Sequence, residues 1–176
     1  AEALTAPGYG RVRAHNRPMT APTESCANPF GWALVGPGRI ARRFAEAVDR
    51  LPAARLVVVQ GRELGRARQF AEAWSRTGRA PVEATTDLAA ALARPDVEGV
   101  YIATPHELHA AHVLLAAKHG KHVLVEKPMA IAEDECRAIV AAVDRAGVVL
   151  VVGPSHSFDR PIARAREIID SGDCGA

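Results

Sequence analysis

The chain has 176 residues, with 22 Lys and Arg against 20 Asp and Glu for a net charge of +2. Hydrophobic residues make up 48% of it, enough for one ordinary core but cramped for two complete domains. Its three cysteines, Cys26, Cys136 and Cys174, are odd in number, far apart and without a Cys-x-x-Cys pair, which fits a reducing, cytoplasmic setting, and no apolar run approaches the ~20 residues that span a membrane.

Residues 1–30 carry Pro7, Pro18, Pro22 and Pro29 among scattered Arg11, Arg13 and Arg17, with no apolar periodicity. Such a segment buries too little to order itself, so a disordered N-terminal extension is expected. It lacks the apolar stretch of a secretory signal, and its low acid content is weak support for a transit peptide.

The first chemical signal follows the apolar run Trp32-Ala33-Leu34-Val35, which leads into Gly36-Pro37-Gly38-Arg39-Ile40-Ala41. Strand, glycine turn and helix in that order let a backbone approach a pyrophosphate and aim the helix N-terminal N–H groups at it. Gly36, Pro37, Gly38, Arg39 and Ile40 are therefore candidate dinucleotide contacts. Ile40, Phe44, Val48 and Leu51 recur at helical spacing and are expected to form the buried face of that helix. Ala41 supplies the small residue where helix and strand pack closely. Pro37 stiffens the turn but removes one possible phosphate donor.

Beyond this unit the chain alternates. Further strand candidates are Leu56 to Val59, a weaker one near Val82, Val97 to Ala103, His122 to Glu126 and Val148 to Val152. Helical stretches are Arg39 to Leu51, Leu64 to Ser75, Asp87 to Ala93, Glu107 to His119, Glu133 to Ala146 and, near the end, Pro161 to Ser171. Gly120 and Gly147 follow two of them as C-terminal stops. Strands alternating with helices predict an α/β fold, a doubly wound parallel sheet of Rossmann type over residues 31–157.

The end of the second strand reads Val59-Gln60-Gly61-Arg62-Glu63, where an Asp or Glu would bind the ribose of NAD. Gly61 leaves room for a 2′-phosphate and Arg62 can pair with it, which favours NADP over NAD. The alternative is a solvated helix-start Arg62 with Glu63 on the ribose. Residues 1–80 carry 13 Arg and no Lys against 6 acidic residues, so the half that holds the phosphate site is basic. That attracts a polyanionic cofactor. No aromatic-basic interleaving or nucleic-acid motif accompanies the arginines, so nucleic acid is not expected as a partner.

The second chemical signal is Glu126-Lys127-Pro128, which closes the strand candidate beginning at His122. A lysine at the C-terminal end of a parallel strand faces the crevice where such sheets bind ligands, and can exchange a proton with a substrate hydroxyl. A surface Glu-Lys pair is the plain alternative. The cluster His106-Glu107-Leu108-His109 with His112 lacks the His-Glu-x-x-His spacing of a zinc protease, and no metal is expected. No Tyr-x-x-x-Lys is present, which disfavours a nucleotide-sugar epimerase.

Three segments in order carry a resemblance: Gly36 to Ala41, then Val100-Tyr101-Ile102-Ala103-Thr104-Pro105 with His109, then Gly120-Lys121-His122-Val123-Leu124-Val125-Glu126-Lys127-Pro128-Met129-Ala130. Together they resemble the glucose-fructose oxidoreductase and inositol dehydrogenase (Gfo/Idh/MocA) family. The segment Val152 to Asp159 is similar to a His-Ser-Phe-Asp segment of phthalate cis-dihydrodiol dehydrogenases. The resemblance implies reversible hydride transfer between a secondary alcohol carbon and a nicotinamide, with Lys127 as acid/base and Glu126 orienting it or bordering the nicotinamide pocket. It also implies that Thr104, Pro105 and His109 line the cofactor crevice, that His156 faces substrate, and that the Lys127–Pro128 peptide is cis. The expected cofactor is NADP or NAD, with NADP favoured. Expected partners are a small polyol, sugar or dihydrodiol substrate and, in a longer protein, a second copy of the chain. Members of the family continue into a second α/β domain that supplies the rest of the active site. The expectation is thus that residues 158–176 are the truncated start of that substrate domain and that this chain is the cofactor-binding half. A dinucleotide-binding module without turnover is the alternative.

Overall fold

A computed structural model describes residues 28–75, 80–153 and 159–172. The expected disordered extension therefore lies outside the described residues, apart from its last few. So do His156, Cys26 and Cys174. Six parallel strands form one sheet: β1 (Phe30–Val35), β2 (Ala54–Gln60), β3 (Glu83–Thr85), β4 (Gly99–Ile102), β5 (His122–Val125) and β6 (Leu150–Val152). Their order is β3-β2-β1-β4-β5-β6, which reverses direction between β1 and β4. The helices are α1 (Arg39–Arg50), α2 (Leu64–Ser75), α3 (Leu88–Ala93), α4 (His109–Lys118), α5 (Glu133–Ala146) and α6 (Arg160–Asp170). Among the described residues no helix is long and apolar enough to cross a membrane.

The doubly wound architecture follows from where the apolar side chains go. Leu56 to Val59 of β2 are all buried, the pattern of a strand covered on both faces. One face of the sheet packs Ala41, Ala45 and Val48 of α1 with Phe70 and Ala71 of α2. The other packs Leu92 of α3, Val113 of α4 and Ile139 of α5. Gly147 ends α5 with φ 65°, and Gly120 follows α4 with φ 67°, both in the left-handed region that glycine enters without a Cβ penalty.

Two expectations need correction. The buried stripe of α1 is Ala41, Ala45 and Val48, whereas Ile40 and Leu51 are 41% and 51% exposed and Phe44 is half-buried. Alanines in the stripe let the helix sit close to β1, and that rotation leaves Ile40 and Phe44 beside the sheet edge. The helix expected from Glu107 starts instead as a 3-10 turn, His106–Leu108, before α4 begins at His109.

Aromatic rings run along the α1 side of β1 and β4. Phe30 meets Trp32 at 5.0 Å between ring centroids, Trp32 meets Phe44 edge-on at 5.2 Å, and Phe44 stacks on Tyr101 at 4.1 Å. Between Phe30 and Trp32 the backbone itself is crowded. A Cβ on Gly31 would lie 1.9 Å from the Asp96 carbonyl oxygen, while the Gly31 carbonyl accepts from Glu98 N at 2.8 Å. Gly31→Ala must displace backbone rather than a flexible side chain. It is expected to cost about 1–3 kcal/mol, the usual range for overpacking, read as a lower urea midpoint; an unchanged midpoint would contradict this close approach.

Candidate functional site

The parallel ladders bring Val35 level with Gln60 and Ile102, Ile102 level with Val125, and Val125 level with Val152. The loops after β1, β2, β4 and β5 therefore leave the same edge of the sheet, around the point where strand order reverses. Open α/β sheets bind ligands at such a crevice. Two adjoining grooves lie there.

The first, of about 520 Å³, is lined by Gly36, Pro37, Gly38, Gly61, Arg62, Thr104 and Pro105, with Gln60, Glu63, Arg66, Thr86, Leu108 and His112. Gly36 has φ 90°, and a Cβ there would lie 2.8 Å from the Ala103 carbonyl oxygen, so only glycine fits the turn. Gly38 N–H donates to the Gly36 carbonyl at 2.8 Å and Pro37 has no N–H. The donors left for an anion are the first-turn N–H groups of α1, from Arg39 onward, which have no intrahelical partner. No side chain caps this helix and no acidic residue sits in its first turn, so its N-terminus faces the groove with its positive end unneutralised. The Arg39 side chain is exposed and lines neither groove. Arg62 and Arg66 supply two exposed cations, the latter 3.9 Å from Glu63. The smallness of Gly61 has a local cause: a Cβ would press on the Pro37 ring at 3.0 Å.

The second groove, of about 490 Å³, is lined by Ile40, Arg43, Phe44, Tyr101, Leu124, Glu126, Lys127 and Gly153, and shares Ala103 and Thr104 with the first. Tyr101 donates its hydroxyl to Glu126 Oε1 at 2.7 Å. Burial, reinforced by that carboxylate, raises the phenol well above its ordinary value and keeps it a donor. Stacking on Phe44 holds the Tyr101 ring, so the Glu126 carboxylate is fixed at the groove wall. Lys127 is exposed in the groove, and the Lys127–Pro128 peptide is cis.

His109, expected to line the crevice, lies beneath its surface at 0% exposure. Its Nδ1 is 2.7 Å from the Pro128 carbonyl oxygen and its Nε2 2.9 Å from that of Thr104. Two backbone acceptors pull the ring inward, and with both nitrogens occupied it is not available as a metal ligand. His112, half-buried, lines the groove instead, with its Nδ1 3.2 Å from Thr104 Oγ1. Burial, then the neighbouring His109, hold the His112 ring below its ordinary value. From sequence alone, Gln60, Arg66, Thr86, Phe44, Tyr101 and His112 have no place in the crevice, although Phe44 is expected in the core and His112 is weighed as a metal ligand. Thr86 and Gln60 carry one readable signal, their place at strand C-terminal ends, and Arg66 another, its position one helical turn beyond Arg62.

Comparison with known proteins agrees with this geometry. Residues 30–154 match the model of an oxidoreductase family with an NAD-binding Rossmann fold. A 1-carboxy-3-chloro-3,4-dihydroxycyclohexa-1,5-diene dehydrogenase of Comamonas testosteroni is 55% identical over 89 residues, 51% of this chain and 22% of that protein. The scyllo-inositol 2-dehydrogenase (NAD(+)) of Bacillus subtilis is 34% identical over 149 residues, 81% of this chain and 41% of that protein. Among solved structures, the 3-ketoreductase KijD10 of Actinomadura kijaniata in complex with NADP and TDP-benzene superposes with a TM-score of 0.69 at 28% identity, covering 82% of this chain and 43% of that one. The chain thus spans less than half the length of each of these relatives. A dinucleotide crevice at the strand-order reversal, the uncapped α1 and the family match over residues 30–154 lead to one conclusion: this chain belongs to the Gfo/Idh/MocA oxidoreductase family, with its NAD-binding Rossmann fold.

Proposed function

We propose that this chain holds NADP in preference to NAD and contributes Lys127 to a dehydrogenase acting on a cyclic polyol, sugar or cis-dihydrodiol. The observation that carries the reading is the meeting of two grooves at Thr104, one at the uncapped α1 N-terminus and the other containing Lys127. The residues fit a dinucleotide: the space a Cβ would fill at Gly36 is needed for the turn that presents the first-turn N–H groups of α1 to a pyrophosphate. When bound, the nicotinamide accepts or donates the hydride. Lys127 moves a proton to or from the substrate hydroxyl, and Glu126, held by Tyr101, borders the pocket and sets its polarity. Gly36, Pro37 and Gly38 would shape the turn that meets the pyrophosphate, and Thr104 and Pro105 would line the crevice that holds the cofactor. The names of the relatives, a dihydroxycyclohexadiene dehydrogenase and an inositol dehydrogenase, support a ring-borne secondary alcohol as substrate. His156 is the proposed substrate contact from the chain beyond the sheet, and α6 opens the segment we assign to the substrate domain.

The preference for NADP rests on Arg62 with Arg66 beside it, since both line the groove and no acidic residue other than Glu63 does. A charge-assisted contact to a 2′-phosphate contributes about 1.5–3 kcal/mol. Arg62→Ala is therefore expected to weaken NADPH binding about tenfold or more and leave NADH nearly unchanged, as titration calorimetry will show. Equal affinities of the wild type for the two cofactors would remove the assignment and leave Glu63 on the ribose.

The role of Lys127 is checked by turnover in a chain that carries the full length of its relatives. Lys127→Ala should lower kcat about 10²-fold or more with little change in cofactor affinity, the pattern of a lost acid/base. A variant that keeps its kcat would return Lys127 to the surface.

A further inference from the structure

His109 is the one fully buried polar side chain among the described residues, and its partners are chemically unusual as a pair. Both are backbone carbonyl oxygens, Pro128 at 2.7 Å from Nδ1 and Thr104 at 2.9 Å from Nε2. A carbonyl oxygen only accepts, and a neutral imidazole has one N–H to give. In either neutral tautomer one ring lone pair would face a carbonyl lone pair at hydrogen-bond distance, in a place no water reaches. Only the ring protonated on both nitrogens makes both bonds.

We infer that His109, as a double donor, is a positioning residue that ties the loop after β4 to the Glu126-Lys127-Pro128 loop and so fixes Lys127 relative to the cofactor crevice. The two loops come from adjacent strands but have separate ends, and no side chain other than His109 bridges Thr104 and Pro128 among the described hydrogen bonds. Burial of a cation beside the start of α4 is costly, and two carbonyl dipoles aimed at its N–H groups offset that cost. Its titratable neighbours fit the assignment. His106 lies 5.6 Å away between ring centroids and is exposed to solvent, and Glu126 and Lys127 precede Pro128 on the loop it holds. Burial, then His109, lower the His112 ring from its ordinary value, which favours Nδ1 as the acceptor of the Thr104 hydroxyl 3.2 Å away. Thr104 is then held at both its carbonyl and its side chain.

The bridge itself rests on geometry alone, while its consequence for catalysis rests on the proton-transfer role proposed for Lys127. The 176-residue chain, labelled with ¹⁵N-histidine and observed by NMR at about pH 7, tests the bridge. Two exchange-protected ring N–H signals are expected from one histidine, assigned to His109 by their loss in His109→Gln. A single ring N–H on His109 would overturn the double donor. Positioning is tested by reductive ¹³C-methylation and pH titration of the Lys127 resonance, which a purely stabilising role would leave in place. In His109→Gln its midpoint should move by at least about half a pH unit, the scale of a changed local environment. If that variant does not fold, His109→Asn serves for the same titration. An unmoved Lys127 midpoint in a folded variant would overturn the positioning role. Loss of the proton-transfer role would show separately, as unchanged turnover in Lys127→Ala with both His109 N–H signals intact.

Discussion

The alignment of strand ends is the constraint on which the site depends. Because every strand is parallel and the register sets Val35, Gln60, Ile102 and Val125 side by side, four loops are delivered to one edge without any residue having to reach across the molecule. Parallel pairing requires a crossover helix between consecutive strands, and these helices cover both faces. The reversal between β1 and β4 then separates neighbouring loops and opens the crevice. Fold and site are in this sense one feature: any change in register moves the loops that carry Gly36, Thr104 and Lys127 apart.

Close backbone approach is the second requirement, and small residues meet it in a chain of dependence. Ala41 and Ala45 bring α1 onto the sheet, Gly36 lets the turn pass against the Ala103 carbonyl, and Gly61 accommodates the ring of Pro37. Proline stiffens the turn after β1, glycine makes room for the proline, and the helix N-terminus is held where its free N–H groups face the groove. The bulky residues that α1 does not bury, Ile40 and Phe44, become groove wall, and Phe44 carries the Tyr101 ring that orients Glu126.

Polar groups under the crevice are satisfied by partners from other elements. No buried side-chain nitrogen or oxygen among the described residues lacks a hydrogen bond. The Thr104 carbonyl, the Pro128 carbonyl and the two nitrogens of His109 account for one another, and at the opposite, N-terminal ends of β4 and β5 Lys121 satisfies the carbonyls of Arg94 and Val97 at 2.9 and 2.7 Å. Leaving any of these unpaired would cost about 1–3 kcal/mol. The loops of the site are thus held by backbone acceptors as well as by packing.

What the sequence determined by itself is the set of elements and their order. Hydrophobic runs, helical spacing and the glycines at 36, 38, 120 and 147 mark strands, helices and their ends, because these signals act within a few residues of chain. Gly36 to Gly38, Arg62 and Lys127 stand out as candidates for the same reason, each sitting in the loop just after a strand, whereas Thr104 is named only through the resemblance. The resemblance carried by three short segments added the chemistry expected at Lys127. Tertiary structure alone decided which side of α1 is buried, since Ile40 and Ala41 differ by one position and only the sheet selects between them. It also decided that His109 lies inside while His112 faces the groove, that Tyr101 pairs with Glu126 across 25 positions, and that Gly61 answers to Pro37. Those pairings join residues that sequence keeps apart, and their energy depends on distances that exist only once the strands are side by side.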